Sequence, residues 1–106
     1  MMGPLLALLA AASGPEQVIP VTAKKFEFAP SVIELKVGVP VVLELRSNDR
    51  RHGFAAPDLR IDEQIEAGET RRVRILPGKA GTFEFHCSVF CGSGHEEMSG
   101  QIVMRP

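Results

Sequence analysis

The sequence predicts an all-β protein, an antiparallel Greek-key β-sandwich formed by one small domain. Three observations lead to this fold class: short segments of alternating apolar and polar residues, turn residues at short intervals between them, and no long stretch of helical periodicity. The 106 residues and 44% hydrophobic content suffice for one core. The net charge of −1 gives no indication of nucleic acid binding.

Alternating strands can be followed along most of the chain. Residues 33–37 alternate apolar and polar side chains. After the turn Gly38-Val39-Pro40, an inner face is formed by Val41, Leu43 and Leu45, opposite Val42, Glu44 and Arg46. A polar loop over residues 47–51 ends at His52, and Ala56-Pro57 interrupts the chain before a short extended piece at Leu59 to Ile61. Together with segments near residues 18–28, 73–75, 82–87 and 100–104, this predicts about seven strands, the number typical of a β-sandwich.

The first fifteen residues differ in composition from the rest. Leu5 to Ala12 is an apolar stretch followed by small residues, as in a secretory signal, although no Lys or Arg precedes it. The stretch is too short to span a bilayer. We therefore expect residues 1–15 to be a leader and residues 16–106 to be the domain. The expected product is a soluble protein without a membrane span, exported to the periplasm or another extracytoplasmic compartment.

The segment from Cys87 to Met98 contains two thiols, an imidazole and a thioether. The spacing is Cys-x3-Cys-x3-His-x2-Met, with the second cysteine at Cys91 and the histidine at His95. Thiolate, imidazole and thioether form a soft-ligand set that suits copper and does not suit magnesium or calcium. His52, on a separate loop upstream, supplies the further strong donor that this set lacks. The sequence therefore predicts a copper site.

The alternation along the preceding strand indicates which neighbours face the site. Phe83, Phe85 and Cys87 share one face of a strand, whereas Glu84 and His86 point to the other. Because Cys87 must face inward to bind a metal, His86 is predicted to face solvent and not to be a ligand.

Two other interpretations of the cysteine pair fit the sequence less well. A structural disulfide between Cys87 and Cys91 would close a short loop and stabilise little, and it would leave His95 and Met98 unexplained. Zinc is disfavoured, because methionine is a poor zinc ligand and the spacing differs from that of zinc ribbons.

The cysteine segment carries a resemblance to a known family. Residues 82–104 resemble the C-terminal hairpin of the cupredoxins. Within that family, Cys87-Ser-Val-Phe-Cys91-Gly-Ser-Gly-His95-Glu-Glu-Met98 resembles the dinuclear CuA motif of cytochrome oxidase subunit II and nitrous oxide reductase. The upstream segment from Arg51 to Asp62 is similar to the segment that carries the first histidine in the same proteins.

The resemblance implies a specific set of ligands for two copper ions. Both would be bridged by the sulfurs of the two cysteines. One copper would also take His52, with Met98 as a weak axial ligand. The other would take His95 and the backbone carbonyl of Val89. A mononuclear blue site would need only one of the cysteines, Cys91, so Cys87 is the residue that separates the two possibilities.

The resemblance also implies a function, that of a carrier of single electrons rather than an enzyme. Its partners would be redox proteins such as a c-type cytochrome or a terminal oxidase, and Arg50 and Arg51 are docking candidates because they adjoin His52. A copper storage or delivery protein, a mononuclear carrier, and a detached module of an oxidase or reductase complex remain alternatives.

Three departures from the family pattern favour a free-standing domain. Val89 occupies the position of a glutamate that serves a magnesium site in oxidases, and valine cannot bind magnesium through its side chain. Gly53 replaces the aromatic residue that follows the first histidine in oxidases, so the usual route for incoming electrons is missing. Transmembrane helices precede the copper domain of subunit II, and we expect none here.

Overall fold

In the computed structural model, which describes residues 16–106, the chain folds into nine strands arranged in two packed sheets. The strands are β1 (Gln17–Lys24), β2 (Glu27–Ala29), β3 (Val32–Lys36), β4 (Val41–Ser47), β5 (His52–Ala56), β6 (Ile61–Ile65), β7 (Thr70–Ile75), β8 (Gly81–His86) and β9 (Ser99–Arg105). There are two short 3₁₀ turns. The first, Pro57–Leu59, connects β5 to β6, and the second, His95–Glu97, precedes β9. The predicted leader, residues 1–15, lies outside the described residues.

The two sheets confirm the predicted β-sandwich. One sheet has the order β2-β1-β4-β7, and the other has the order β3-β9-β8-β5-β6. Among the described residues, five of the seven strand pairings are antiparallel. The other two, β1 with β4 and β3 with β9, are parallel. In these two pairings, strands that are distant in sequence run in the same direction, which departs from a purely antiparallel arrangement.

Alternation of burial explains the strands that the sequence predicted best. In β3, Ile33 and Leu35 are buried while their neighbours are exposed. In β8, Phe85 is buried and His86 exposed, and Cys87 directly after the strand is buried again. His86 therefore faces solvent, as the period of two predicted.

Strand β5 shows no such alternation, because all five of its residues are buried. It lies between β8 and β6, and three of its residues are glycine or alanine, which allow close packing on both faces. The prediction that His52 lies in a loop is therefore wrong, since His52 is the first residue of β5. The extended piece expected at Leu59 to Ile61 is likewise corrected to the end of a 3₁₀ turn followed by β6. These additional strands raise the predicted seven to nine.

The core is organised around three phenylalanines beneath one end of the sandwich. Phe54 and Phe85 stack with ring centroids 4.6 Å apart, and Phe28 meets both edge-on at 5.7 and 5.0 Å. Because Phe54 is two residues from His52 and Phe85 is two residues from Cys87, each shares a strand face with the metal-ligand candidate. The aromatic cluster thus forms the floor of the candidate site.

Candidate metal centre

Five of the six predicted donors come from the single loop that connects β8 to β9. Cys87 directly follows β8 and Met98 directly precedes β9. The loop is closed at its base, where the Cys87 N–H donates to the Met98 carbonyl at 3.0 Å. Inside the loop, the His95 N–H donates to the Gly92 carbonyl and the Met98 N–H to the His95 carbonyl, both at 3.1 Å. These bonds bring the side chains of the loop together.

The two thiols lie side by side and are not joined. Cys87 Sγ and Cys91 Sγ are 3.4 Å apart, both residues are only 2% exposed, and both cysteines are free. A disulfide would require the sulfurs to be about 2.05 Å apart. Since a metal–thiolate bond is about 2.3 Å, sulfurs at this spacing can share a metal ion between them.

His52 reaches this pair from β5. Its side chain is fully buried, and its Nδ1 lies 3.9 Å from Cys87 Sγ. The donor atoms of His52, Cys87 and Cys91 all lie within 4.8 Å of one another. The structure therefore brings together an imidazole from one segment and two thiols from another.

The remaining predicted donors surround the same sulfurs. His95 Nδ1 lies 3.6 Å from Cys91 Sγ, and Met98 Sδ lies 3.7 Å from the same sulfur. The backbone carbonyl oxygen of Val89 lies 3.1 Å from Cys87 Sγ. One nitrogen donor thus accompanies each thiol, with a weak sulfur donor and a weak oxygen donor beside them.

The far side of the His52 ring is held by a carboxylate. Asp49 Oδ1 lies 2.8 Å from His52 Nε2, so the ring presents Nδ1 to the thiols. Asp49 also accepts the Lys25 N–H at 2.8 Å and the Arg50 N–H at 2.7 Å. A carboxylate behind a ligating histidine fixes the tautomer and the orientation of the ring.

Charges and burial shift two pKa values at the site. Burial raises the pKa of Asp49, but hydrogen bonds from Lys25, His52 and Arg50 outweigh it and lower the pKa to about 2. Burial, aided by the adjacent Cys87 thiol, raises the pKa of Cys91 to about 11, and the Arg50 guanidinium opposes that rise. Cys91 is thus a protonated thiol in the metal-free protein, and a bound metal must displace its proton.

A turn from the other sheet fastens the site loop. The Phe26 ring, between β1 and β2, lies against Gly92 and Gly94, where a Cβ on Gly92 would come within 2.7 Å of the ring. Gly92 also has a φ of +137°, in the region that favours glycine. The neighbouring Lys25 supplies one of the bonds to Asp49.

Asp49 and Phe26 were not predicted from the sequence. Asp49 stands three residues before His52, a spacing that could have drawn attention to it as a partner of the ring. Phe26 gave no signal, because its contact with the site loop depends on how the two sheets pack.

We expect Asp49→Asn to weaken copper binding about 10- to 100-fold, as is typical when the partner of a ligating histidine is altered. The amide lacks the negative charge that orients the His52 ring. A competition titration against a chelator of known copper affinity measures the change. Asp58→Asn, at the exposed 3₁₀ turn after β5, is the control and should leave the affinity unchanged. Equal affinity in the two variants would contradict the role given to Asp49.

The fold and the thiol–imidazole cluster together define a copper-binding β-sandwich. The chain matches the family model described as cupredoxin-like domain over residues 2–104, and it belongs to that family. Copper is the metal that the family and the donor set support.

The chain is also similar in sequence to two named proteins that contain copper domains of this family. The chain is 33% identical to cytochrome c oxidase subunit 2 of Thermus thermophilus over 94 residues, covering 88% of this chain and 70% of that protein. It is 28% identical to the nitrous-oxide reductase of Cupriavidus necator over 96 residues, which are 87% of this chain but 15% of the reductase. These findings confirm the predicted resemblance to both proteins.

A solved structure supports the fold. The periplasmic domain of subunit II of cytochrome oxidase from Bradyrhizobium japonicum superposes with a TM-score of 0.77, covering 84% of this chain and 83% of that domain. At 17% identity this likeness concerns the fold alone. No helix within residues 16–106 is long and apolar enough to cross a membrane.

Proposed function

We propose that this cupredoxin-like domain accepts and donates single electrons through a dinuclear copper centre of the CuA type. The observation that carries the proposal is the pair of buried, unbonded thiols 3.4 Å apart, Cys87 and Cys91. A mononuclear site would use one thiol and leave the second buried without a role. Two adjacent thiols, each accompanied by an imidazole nitrogen, provide donors for two metal ions.

Each side chain has a distinct part in this proposal. Both thiolates would hold two copper ions, and two shared sulfurs would spread one electron over both metals. His52 and Met98 would complete the coordination of one copper, and His95 with the Val89 carbonyl would complete that of the other. Because Asp49 and the closed loop fix these donors before metal binds, little would move when the charge changes.

The burial of the donors favours electron transfer over copper delivery. Cys87, Cys91, Met98 and His52 are each at most 2% exposed. A delivery protein must expose its metal to a recipient, whereas an electron carrier keeps its metal away from water and from exchange. All six donor positions are protein atoms, so the site also offers no open position for a substrate.

Copper stoichiometry and electron paramagnetic resonance of the copper-loaded protein test the proposal, with Cys87→Ser as the variant. We expect two coppers per chain and one unpaired electron shared equally by both nuclei. In Cys87→Ser the shared signal should be lost, because a hydroxyl is a poor bridge. His86→Ala, which alters the exposed histidine beside Cys87, is the matched control and should keep the full signal.

The same measurement separates the alternatives. One copper per chain, with an intense blue band that survives Cys87→Ser, would make the protein a mononuclear carrier and refute the dinuclear proposal. Copper found only as Cu(I) and removed readily by a chelator would instead indicate storage or delivery.

We further propose that residues 1–15 are a leader removed on export and that the domain, residues 16–106, works outside the cytoplasm with a c-type cytochrome or a terminal oxidase. Two similarities support this: the match to oxidase subunit 2, and the likeness to a periplasmic domain. The intact mass of protein recovered from the periplasm tests it, and a mass that retains the first residues would contradict removal of a leader.

A further inference from the structure

One face of the site loop exposes a large apolar side chain beside the candidate ligands. Phe90 is 76% exposed, although it is joined directly to the buried Cys91. Its ring lies 5.6 Å from the His95 ring, centroid to centroid. An exposed phenylalanine has no role in core packing, so the Phe90 ring presents apolar surface directly beside the candidate ligands.

Beside Phe90 lies a shallow depression of about 380 Å³. We call it the Arg–Phe face, and its lining residues are Arg50, Arg51, Val89, Phe90, Cys91 and Gly92. The lining contains two cations and no carboxylate. An apolar centre beside a charged rim is the arrangement found in small protein–protein interfaces.

The charge of this face is less neutralised than that of the other arginine cluster. On β7, Arg71, Arg72 and Arg74 each pair with a glutamate within 4 Å. Among residues 16–106, the Arg50 side chain has no carboxylate within that distance, whereas Arg51 has one exposed pair, with Glu66 at 3.5 Å. Within the described residues, the Arg50 charge on the Arg–Phe face is therefore not offset by an ion pair of its own.

The same face is connected to a candidate ligand by short contacts. The Arg50 guanidinium donates to the Cys91 carbonyl oxygen at 2.9 Å, and Phe90 is bonded to Cys91 through the peptide. A partner that touches Arg50 and Phe90 is thus one residue away from a thiolate.

We propose that the Arg–Phe face is the electron-exchange surface of this protein and that it binds an acidic redox protein, one whose exposed apolar cofactor edge is surrounded by carboxylates. The proposal rests on the proposed electron-transfer function. An electron would pass from the partner's reduced cofactor to the copper that these residues would hold, by way of Cys91 and with no transfer of atoms. The arginines steer the acidic partner, and Phe90 makes the apolar contact.

The first test is binding, which does not require copper. Hexacyanochromate(III), a paramagnetic anion, is titrated into the ¹⁵N-labelled, copper-free full chain and into the reduced copper-loaded protein. We expect the strongest broadening at amides 50–52 and 89–92. In Arg51→Glu this broadening should fall about three- to tenfold at low ionic strength, because an exposed cation is replaced by an anion. Arg105→Glu, the same change of charge at the far end of β9, is the control.

The second test is the rate of electron exchange at low and high salt. We expect the copper-loaded protein to react about tenfold or more faster with an acidic c-type cytochrome than with a basic one at low salt, and Arg51→Glu to remove that preference. Phe90→Ser should slow both reactions without altering the copper spectrum.

Three outcomes would overturn the proposal: broadening centred on β7, a preference for the basic cytochrome, or self-association through this face, which would make a second copy of the chain its occupant. If the anion binds as expected but the centre holds one copper, the Arg–Phe face stands and the dinuclear function fails. If two coppers are present but the anion binds elsewhere, the dinuclear function stands and the Arg–Phe face fails.

Discussion

Gly53→Ala is expected to lower the free energy of unfolding by about 3 kcal/mol, at the upper end of the usual cost of overpacking. A Cβ at Gly53 would stand 2.7 Å from the Ser88 backbone nitrogen and 2.9 Å from that of Val89. Real Cβ atoms do not approach other atoms so closely, and a backbone cannot turn aside as a flexible side chain can. The β5 strand and the cysteine loop would therefore have to separate.

That separation would also be visible at the metal centre. The Gly53 N–H donates to Cys87 Sγ at 3.4 Å, and His52, the adjacent residue, is a candidate ligand. Moving the loop away from β5 lengthens the distance between His52 and both thiols. We therefore expect Gly53→Ala to change the copper spectrum as well as the stability.

Urea unfolding of the copper-free protein measures the loss of stability, and the spectrum after copper loading measures the distortion. Gly78→Ala is the matched control, since a Cβ there meets nothing within 4 Å. We expect its free energy of unfolding to stay within about 0.5 kcal/mol of that of the parent protein. A Gly53→Ala protein with the unfolding midpoint and spectrum of the parent would show that the loop does not pack on β5 as described.

The second large effect is expected from Phe85→Ala, which should lower the free energy of unfolding by about 3–5 kcal/mol. Phe85 is fully buried, stacks on Phe54 and meets Phe28 edge-on, so its removal leaves a cavity at the centre of the aromatic cluster. Gly100 packs against the same ring, and its β9 neighbours cannot collapse into the space without distorting the ladder with β8.

This loss is large relative to the total stability of a small domain, which is about 5–15 kcal/mol. Thermal unfolding followed by circular dichroism is the measurement, with an expected fall in Tm of about 4–8 °C for each kcal/mol. Phe90→Ala removes the same side chain from an exposed position and should change Tm little. Equal Tm values for the two variants would contradict the placement of Phe85 in the core.

The sequence predicted β3 and β8, whose burial alternates, and missed β5, whose burial does not. Strand β8 and the inward direction of Cys87 follow from a period of two, and so does the exposure of His86. Strand β5 gave no such period, because it is covered on both sides and is built of small residues. Strand β6 was predicted only at its first residue, Ile61, since only its two ends, Ile61 and Ile65, are buried.

For the candidate site, local spacing was informative and long-range packing was not. The loop from Cys87 to Met98 carries four donor side chains within a short segment, so they could be recognised together. The Asp49 carboxylate behind His52 and the Phe26 ring over Gly92 depend on the meeting of separate segments. Such contacts produce no periodic pattern in the amino-acid sequence.

The turn between β1 and β2 has a consequence for how fast copper can leave. Lys25 and Phe26 belong to one sheet, yet they hold the aspartate behind His52 and the glycines of the loop between the other sheet's strands β8 and β9. A local fluctuation of that loop would have to break contacts made by both sheets, so the loop opens only with a larger cooperative unit. Metal release would then share its rate with the opening of the sandwich and would be slow in native conditions. That kinetic trapping suits the proposed electron carrier, which would keep its metal through many cycles of oxidation and reduction.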